Sequence, residues 1–226
     1  MDENSTGLVT FSVRRAHRAQ QRMSKLLILE DQLPEKIRYI AGIDVAYTNN
    51  MSIAAAAIME YDSLKLIETQ TASCRTPLPY IPSLLAFREI MPSIRCIRKL
   101  RIQPDIFLIN GHGYAHPYSC GLASHIGLVL GKPTIGIAKN KLVGKIQKTQ
   151  QKVAFMTHNG RTIGAKLEIN SKHEPIYVSI GHMVSLQSAI RIAQQTTRNN
   201  PLPEPLLEAH QTATKEKRKI NIPRQT

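Results

Sequence analysis

Pro104-Asp105-Ile106-Phe107-Leu108-Ile109-Asn110-Gly111-His112-Gly113-Tyr114-Ala115-His116-Pro117 is a short apolar run followed by a glycine-rich turn. Four consecutive apolar residues without alternation, Ile106 to Ile109, predict a strand buried on both faces. The strand delivers the polar Asn110 into a turn that carries two histidines. Glycines there let a ligand approach bare backbone while side chains project from a rigid strand end. Two readings stand at this point, a site built at the strand terminus or an ordinary strand exit with incidental histidines.

Downstream, Gly121 to Leu130 predicts a helix, and Pro133-Thr134-Ile135-Gly136-Ile137-Ala138 a second short buried strand that ends at Lys139. Strand, helix and strand over this length form a βαβ unit and hence a parallel pair. The segment from Gly136 to Lys145 lacks the G-x-x-x-x-G-K-[ST] spacing of a phosphate-binding loop.

Upstream, Tyr39 to Tyr47 reads as a strand, and Ser52 to Tyr61 with Leu64 to Ser73 as a hairpin. Antiparallel strands followed by parallel ones predict a mixed sheet with helices on its faces. Asp44 interrupts the first strand between Ile43 and Val45. Buried and unpaired, a carboxylate costs several kcal/mol, so it requires a cation, a set of donors or a metal. Asp44 is therefore a catalytic candidate or a structural aspartate bonded to turn amides.

The remaining segments are read the same way. Residues 8–29 predict an amphipathic helix with Arg14, Arg15, Arg18, Arg22 and Lys25 outward, either a solvated face or a phosphate track. Pro77-Leu78-Pro79-Tyr80-Ile81-Pro82 is a stiff extended loop, either a packed connection or an aromatic wedge for bases. A helix from Leu84 carries Glu89 and is expected to break or bend at Pro92. Strands near 162–169 and 176–180 lead to Gly181-His182, and Ser185 caps a helix that runs to about Thr197. From Asn199, three prolines and then Lys215, Lys217, Arg218 and Lys219 suggest a flexible basic tail.

With 226 residues the chain suits one domain, placed at 8–198, with 199–226 as the tail. Lys and Arg total 30 against 16 Asp and Glu, a formal charge of +14, which favours polyanionic partners, nucleic acid first. Cys74, Cys96 and Cys120 show neither C-x-x-C nor zinc-ligand spacing, so a reducing, cytoplasmic location is expected. No apolar run approaches the ~20 residues of a membrane span, and the acidic, polar N-terminus is unlike a secretory signal.

Taken together, Ala41-Gly42-Ile43-Asp44-Val45-Ala46-Tyr47, Pro79-Tyr80-Ile81-Pro82 with Phe87-Arg88-Glu89, Asn110-Gly111-His112-Gly113, Ala115-His116-Pro117, Gly121-Leu122-Ala123-Ser124-His125, Pro133 to Lys139 and Tyr177-Val178-Ser179-Ile180-Gly181-His182 resemble the endonuclease V family in order and spacing. The resemblance implies a ribonuclease-H-like α/β fold, a mixed sheet flanked by helices in a single domain. It also implies Mg²⁺-dependent cleavage of DNA at the second phosphodiester bond 3′ to deoxyinosine, as part of DNA repair. By the same resemblance Asp44, Glu89 and Asn110 are metal-site residues, and Lys139 and His182 complete the catalytic set. Tyr80 with Pro79, Ile81 and Pro82 forms the strand-separating wedge, and Gly111, Gly113, His116 and Gly121 mark the pocket for the flipped base. The implied partner is deoxyinosine-containing DNA, with inosine-bearing RNA as a second candidate, engaged by a monomer.

One position departs from the family pattern, because Asn110 stands where Asp-Gly-His-Gly would place a carboxylate. An amide keeps the shape and one carbonyl but loses the charge, so reduced activity is expected. A non-catalytic binder of inosine-containing nucleic acid is the alternative. A transition-metal pair, His112 with His116, is disfavoured by the glycines around it and by the lack of an intervening Glu.

Overall fold

A computed structural model describes residues 11–149, 151–169 and 173–221. The expected helix start at residue 8 lies outside them. In chain order the elements are α1 (Val13–Ser24), β1 (Tyr39–Thr48), β2 (Met51–Glu60), β3 (Leu66–Arg75), α2 (Leu85–Ile97), β4 (Ile106–Asn110), α3 (Leu122–Leu130), β5 (Thr134–Ala138), β6 (Lys145–Ile146), β7 (Val153–His158), β8 (Arg161–Leu167), β9 (Ile176–His182), α4 (Leu186–Gln195) and α5 (Glu204–Asn221).

Nine strands form one sheet in the order β3-β2-β1-β4-β5-β9-β8-β7-β6. The β4-α3-β5 unit is parallel as expected, and β4 also pairs in parallel with β1, which puts Ile43 opposite Ile109. This register carries Asp44 and Asn110 to the same strand end. β2 and β9 flank these three strands in antiparallel pairing.

Alternation along the central strands divides the core between two faces. Ala41, Ile43, Phe107 and Ile109 pack with α2 and α3. Ile40, Ile106, Leu108, Ile135 and Ile137 pack with Ile190 and Ala193 of α4 and Leu206 of α5. Both faces are covered, which explains why β4 and β5 read as unbroken apolar runs.

Of a break or a bend at Pro92, the break does not occur: α2 continues to Ile97 with Pro92 buried inside it. The packing of Ala86, Ile94 and Ile97 against the sheet outweighs the one backbone hydrogen bond that proline removes. Nor do residues 204–221 of the expected tail form a flexible extension, 222–226 lying outside the described residues: α5 spans Glu204–Asn221 and buries Leu206, Ala209 and Ala213 completely or nearly so. Pro205 lies in the first turn, where a helix needs no N–H partner, so the prolines open the helix rather than a linker.

α5 crosses β1 at Gly42, where an added Cβ would meet the Pro205 carbonyl oxygen at 2.0 Å. Only glycine allows that approach. From Pro205 to His210 the helix rises about 7.5 Å, and from Gly42 to Asp44 the strand rises about 6.7 Å. The helix thus carries His210 to the level of Asp44.

Candidate active site

Asp44 is only 7% exposed, and both of its carboxylate oxygens are engaged. Asn110 Nδ2 donates to Oδ1 at 2.7 Å, and His210 Nδ1 donates to Oδ2 at 2.7 Å. Had residue 110 been an Asp, two carboxylates would face each other here and would demand a proton or cation between them. The Asn110 amide satisfies Asp44 instead. The His210 side chain is 46% exposed, and its Nδ1 is the nitrogen bonded to Asp44.

Across the sheet edge, Glu89 of α2 is 6% exposed and accepts from the Tyr47 hydroxyl at 2.6 Å. Burial, opposed by the Tyr47 hydrogen bond and helped by the negative charge of Asp44, pushes its pKa up to about 8. Tyr47 in turn lies under the Arg88 guanidinium, 4.1 Å from the ring centroid, and Arg88 Nη1 donates to Leu78 O of the proline loop. Lys139 follows directly on β5 at the same strand end and is exposed. Asp44, Glu89, Asn110 and Lys139 are thus gathered at one end of β1, β4 and β5.

His182 is not among them. It pairs with Thr134, whereas Ile137 is the residue opposite Asn110, which separates it from the acidic cluster by about 10 Å along the strand. Its Nδ1 accepts from the Ile28 backbone N–H at 3.2 Å, a structural role. The histidine beside Asp44 is His210, hidden from sequence reading because the prolines before its helix resemble a linker. The signal in the sequence is the helical spacing of the apolar Leu206, Ala209 and Ala213.

Beside the cluster a cavity of about 260 Å³ is lined by Tyr80, Ser83, His112, His116, Gly121 and Leu142, among others. Tyr80 stands at its rim, 66% exposed. Gly121 and His116 line the cavity, but Gly111 and Gly113 do not. Gly113 instead serves packing, since a Cβ would strike the Ile180 carbonyl oxygen at 2.0 Å. His116 is 3% exposed, donates from Nε2 to Ser83 O at 2.9 Å and accepts at Nδ1 from Tyr118 N–H at 3.2 Å. Both of its nitrogens are committed, so it forms no metal pair with His112, whose Nε2 donates to Asn140 O. Ser83 holds a left-handed backbone, φ 68°, a costly conformation kept in place by surrounding bonds.

A mixed sheet with Asp44 and Asn110 at the ends of its central parallel strands and Glu89 beside them on α2, covered on both faces by helices, defines a ribonuclease-H-like α/β protein with an acidic site. The Endonuclease V family matches residues 21–211. Endonuclease V of Thermofilum pendens is 40% identical over 205 residues, 90% of this chain and 88% of that protein. Endonuclease V of Streptomyces avermitilis superposes with a TM-score of 0.86 at 29% identity, covering 93% and 95% of the two chains. Ciona intestinalis endonuclease V, solved with a 24mer DNA containing an inosine followed by a ribo-adenosine, gives 0.84 at 27% identity, covering 92% and 99%. The chain belongs to the endonuclease V family of nucleases.

Proposed function

We propose that this protein recognises deoxyinosine in DNA and cleaves the second phosphodiester bond on its 3′ side, at a rate lowered by Asn110. The observation that carries the reading is the acidic cluster beside a cavity topped by an exposed tyrosine. Tyr80, held by Pro79, Ile81 and Pro82, would part the strands, and the cavity would receive the extruded base. The inosine-containing DNA bound by the Ciona relative supports this substrate class, and inosine in RNA is a second one. The chain would act as a monomer, and its free cysteines suit a reducing cytoplasm.

The donor set fits Mg²⁺ in kind, because the Asp44 and Glu89 carboxylates and the Asn110 carbonyl are all oxygen ligands. It carries one negative charge fewer than a set with Asp at 110, and Asn110 must turn its amide away from Asp44 to present Oδ1. When bound, Mg²⁺ would neutralise phosphate charge and acidify a water. Lys139 would hold the phosphate, and His210, its Nδ1 fixed by Asp44, would move a proton at Nε2.

A specific contact favours a second reading. The Asn110–Asp44 hydrogen bond satisfies the carboxylate without a cation, as suits a binder of inosine-containing nucleic acid that does not cut. The test compares this chain with Asn110→Asp on an inosine-containing duplex in Mg²⁺. Faster cleavage by the variant, on the order of 10²-fold, is expected. Equal rates would overturn the role given to Asn110. Binding without cleavage by both proteins would leave only the second reading.

A further inference from the structure

α1 carries a cationic stripe that the acidic cluster and cavity do not use. Arg14, Arg18 and Arg22 are spaced four residues apart, Lys25 follows three later, and all are exposed. Residues four apart share a helix face, and like charges there cost about 0.2–0.5 kcal/mol per pair. The first turn holds Arg14 and Arg15 and no acid, so the positive end of the helix dipole faces two cations. Among the described residues no α1 cation takes part in an ion pair. Arg22, in the last turn, suits the negative end of the dipole, but Arg14 stands at the end that favours anions and the three arginines repel one another along one face.

The opposite face of α1 grips the base of the tyrosine loop. Gln20 is fully buried, and its Nε2 donates to Ser83 O at 2.9 Å and to Cys120 O at 3.1 Å. His17 Nε2 lies 3.1 Å from Ser83 Oγ, and its ring stacks on Tyr118 at 4.3 Å. Ser83, three residues after Tyr80, lines the cavity. α1 is thereby fixed against the base of the loop that presents Tyr80.

From these placements we infer that the Arg14–Arg18–Arg22 stripe is a track for the phosphodiester backbone flanking the lesion. From Arg14 to Lys25 the stripe runs about 16 Å, the axial length over which one strand of duplex carries about five phosphates. The inference rests on the reading that the Tyr80 loop engages nucleic acid, and it assigns the stripe affinity without base preference.

The test measures affinity for one duplex with a central deoxyinosine and one with adenine, across a NaCl series in chelator. The proteins are the full chain, an Arg14→Gln, Arg18→Gln, Arg22→Gln triple and a Lys36→Gln, Lys65→Gln, Arg101→Gln triple. Both triples remove three positive charges, the second from exposed positions around the opposite end of β1. Since each phosphate contact contributes about 0.9 to the slope of log Kd against log salt, the α1 triple should lose about 2–3 in slope on both duplexes. The control triple should lose less than about 1. Equal losses in the two triples, or none in the first, would overturn the track. An Arg→Lys triple at the same three positions keeps the charge and should keep the slope, which guards against loss by unfolding; a lost slope there also overturns it. Equal affinity of every protein for the two duplexes would sink lesion recognition while leaving the slopes, and the track, readable.

Discussion

Asp44 and its two partners show how much one side chain can hide from a linear reading. The carboxylate between Ile43 and Val45 announces that something must satisfy it, but the chain order does not say what. The structure answers with Asn110 and His210, each 2.7 Å away, the second from 166 residues along the chain. His182 looked the better candidate because a histidine at a strand end is a recognisable pattern, yet the antiparallel direction of β9 sends it to the far end. A kinetic comparison in the Asn110→Asp background separates the two. His210→Ala should lose cleavage by roughly 10²-fold or more, and His182→Gln should stay within about tenfold of its parent. Comparable losses in both would mean that the proton at Nε2 of His210 is not used.

At the scale of elements, the join between β1 and α5 controls the site. Gly42 allows the helix to pass, and the helix delivers His210. Gly42→Ala must push Pro205 back from a 2.0 Å approach. The expected cost is about 1–3 kcal/mol of stability, read by denaturant unfolding, together with slower cleavage in the Asn110→Asp background as His210 shifts. Unchanged stability and rate would show that α5 has slack at this crossing. The hairpin, the βαβ unit and the Ser185 cap, whose hydroxyl accepts from Ser188 N–H at 3.1 Å, were all legible because local periodicity and turn chemistry specify them. α5 was not, because three prolines at its threshold resemble a linker and its apolar face has meaning only against β1 and β2.

For the molecule as a whole, buried histidines set a pH limit. His116 and His125 are both pushed down to about 4, chiefly by burial. His116 cannot accept a proton at Nδ1 without facing the Tyr118 N–H. His125 packs edge-on against Phe87, its Nδ1 buried without a partner among the described residues. A folded value below the unfolded one, near 6.5, means that the unfolded chain binds the proton first. Stability is therefore full above about 6.5, falls as pH drops toward about 4 and levels off below, by up to roughly 3 kcal/mol per histidine. Urea unfolding across that range should show the decline, shallower in His125→Leu. A flat profile would mean that neither ring is excluded from water as tightly as its surroundings imply.

By itself, the sequence determined the mixed sheet, the parallel β4-α3-β5 unit, the positions of Asp44, Glu89, Asn110 and Lys139, and the family. Each of these rests on local periodicity, turn chemistry or an ordered set of motifs that survives in one dimension. Only the tertiary structure decided that His210 rather than His182 lies beside Asp44, that residues 204–221 form a helix, and that Asn110 closes on Asp44. The physical reason is common to all three. Strand direction, helix crossing and side-chain pairing depend on which distant residues share a layer, and no local pattern in the chain encodes that distance.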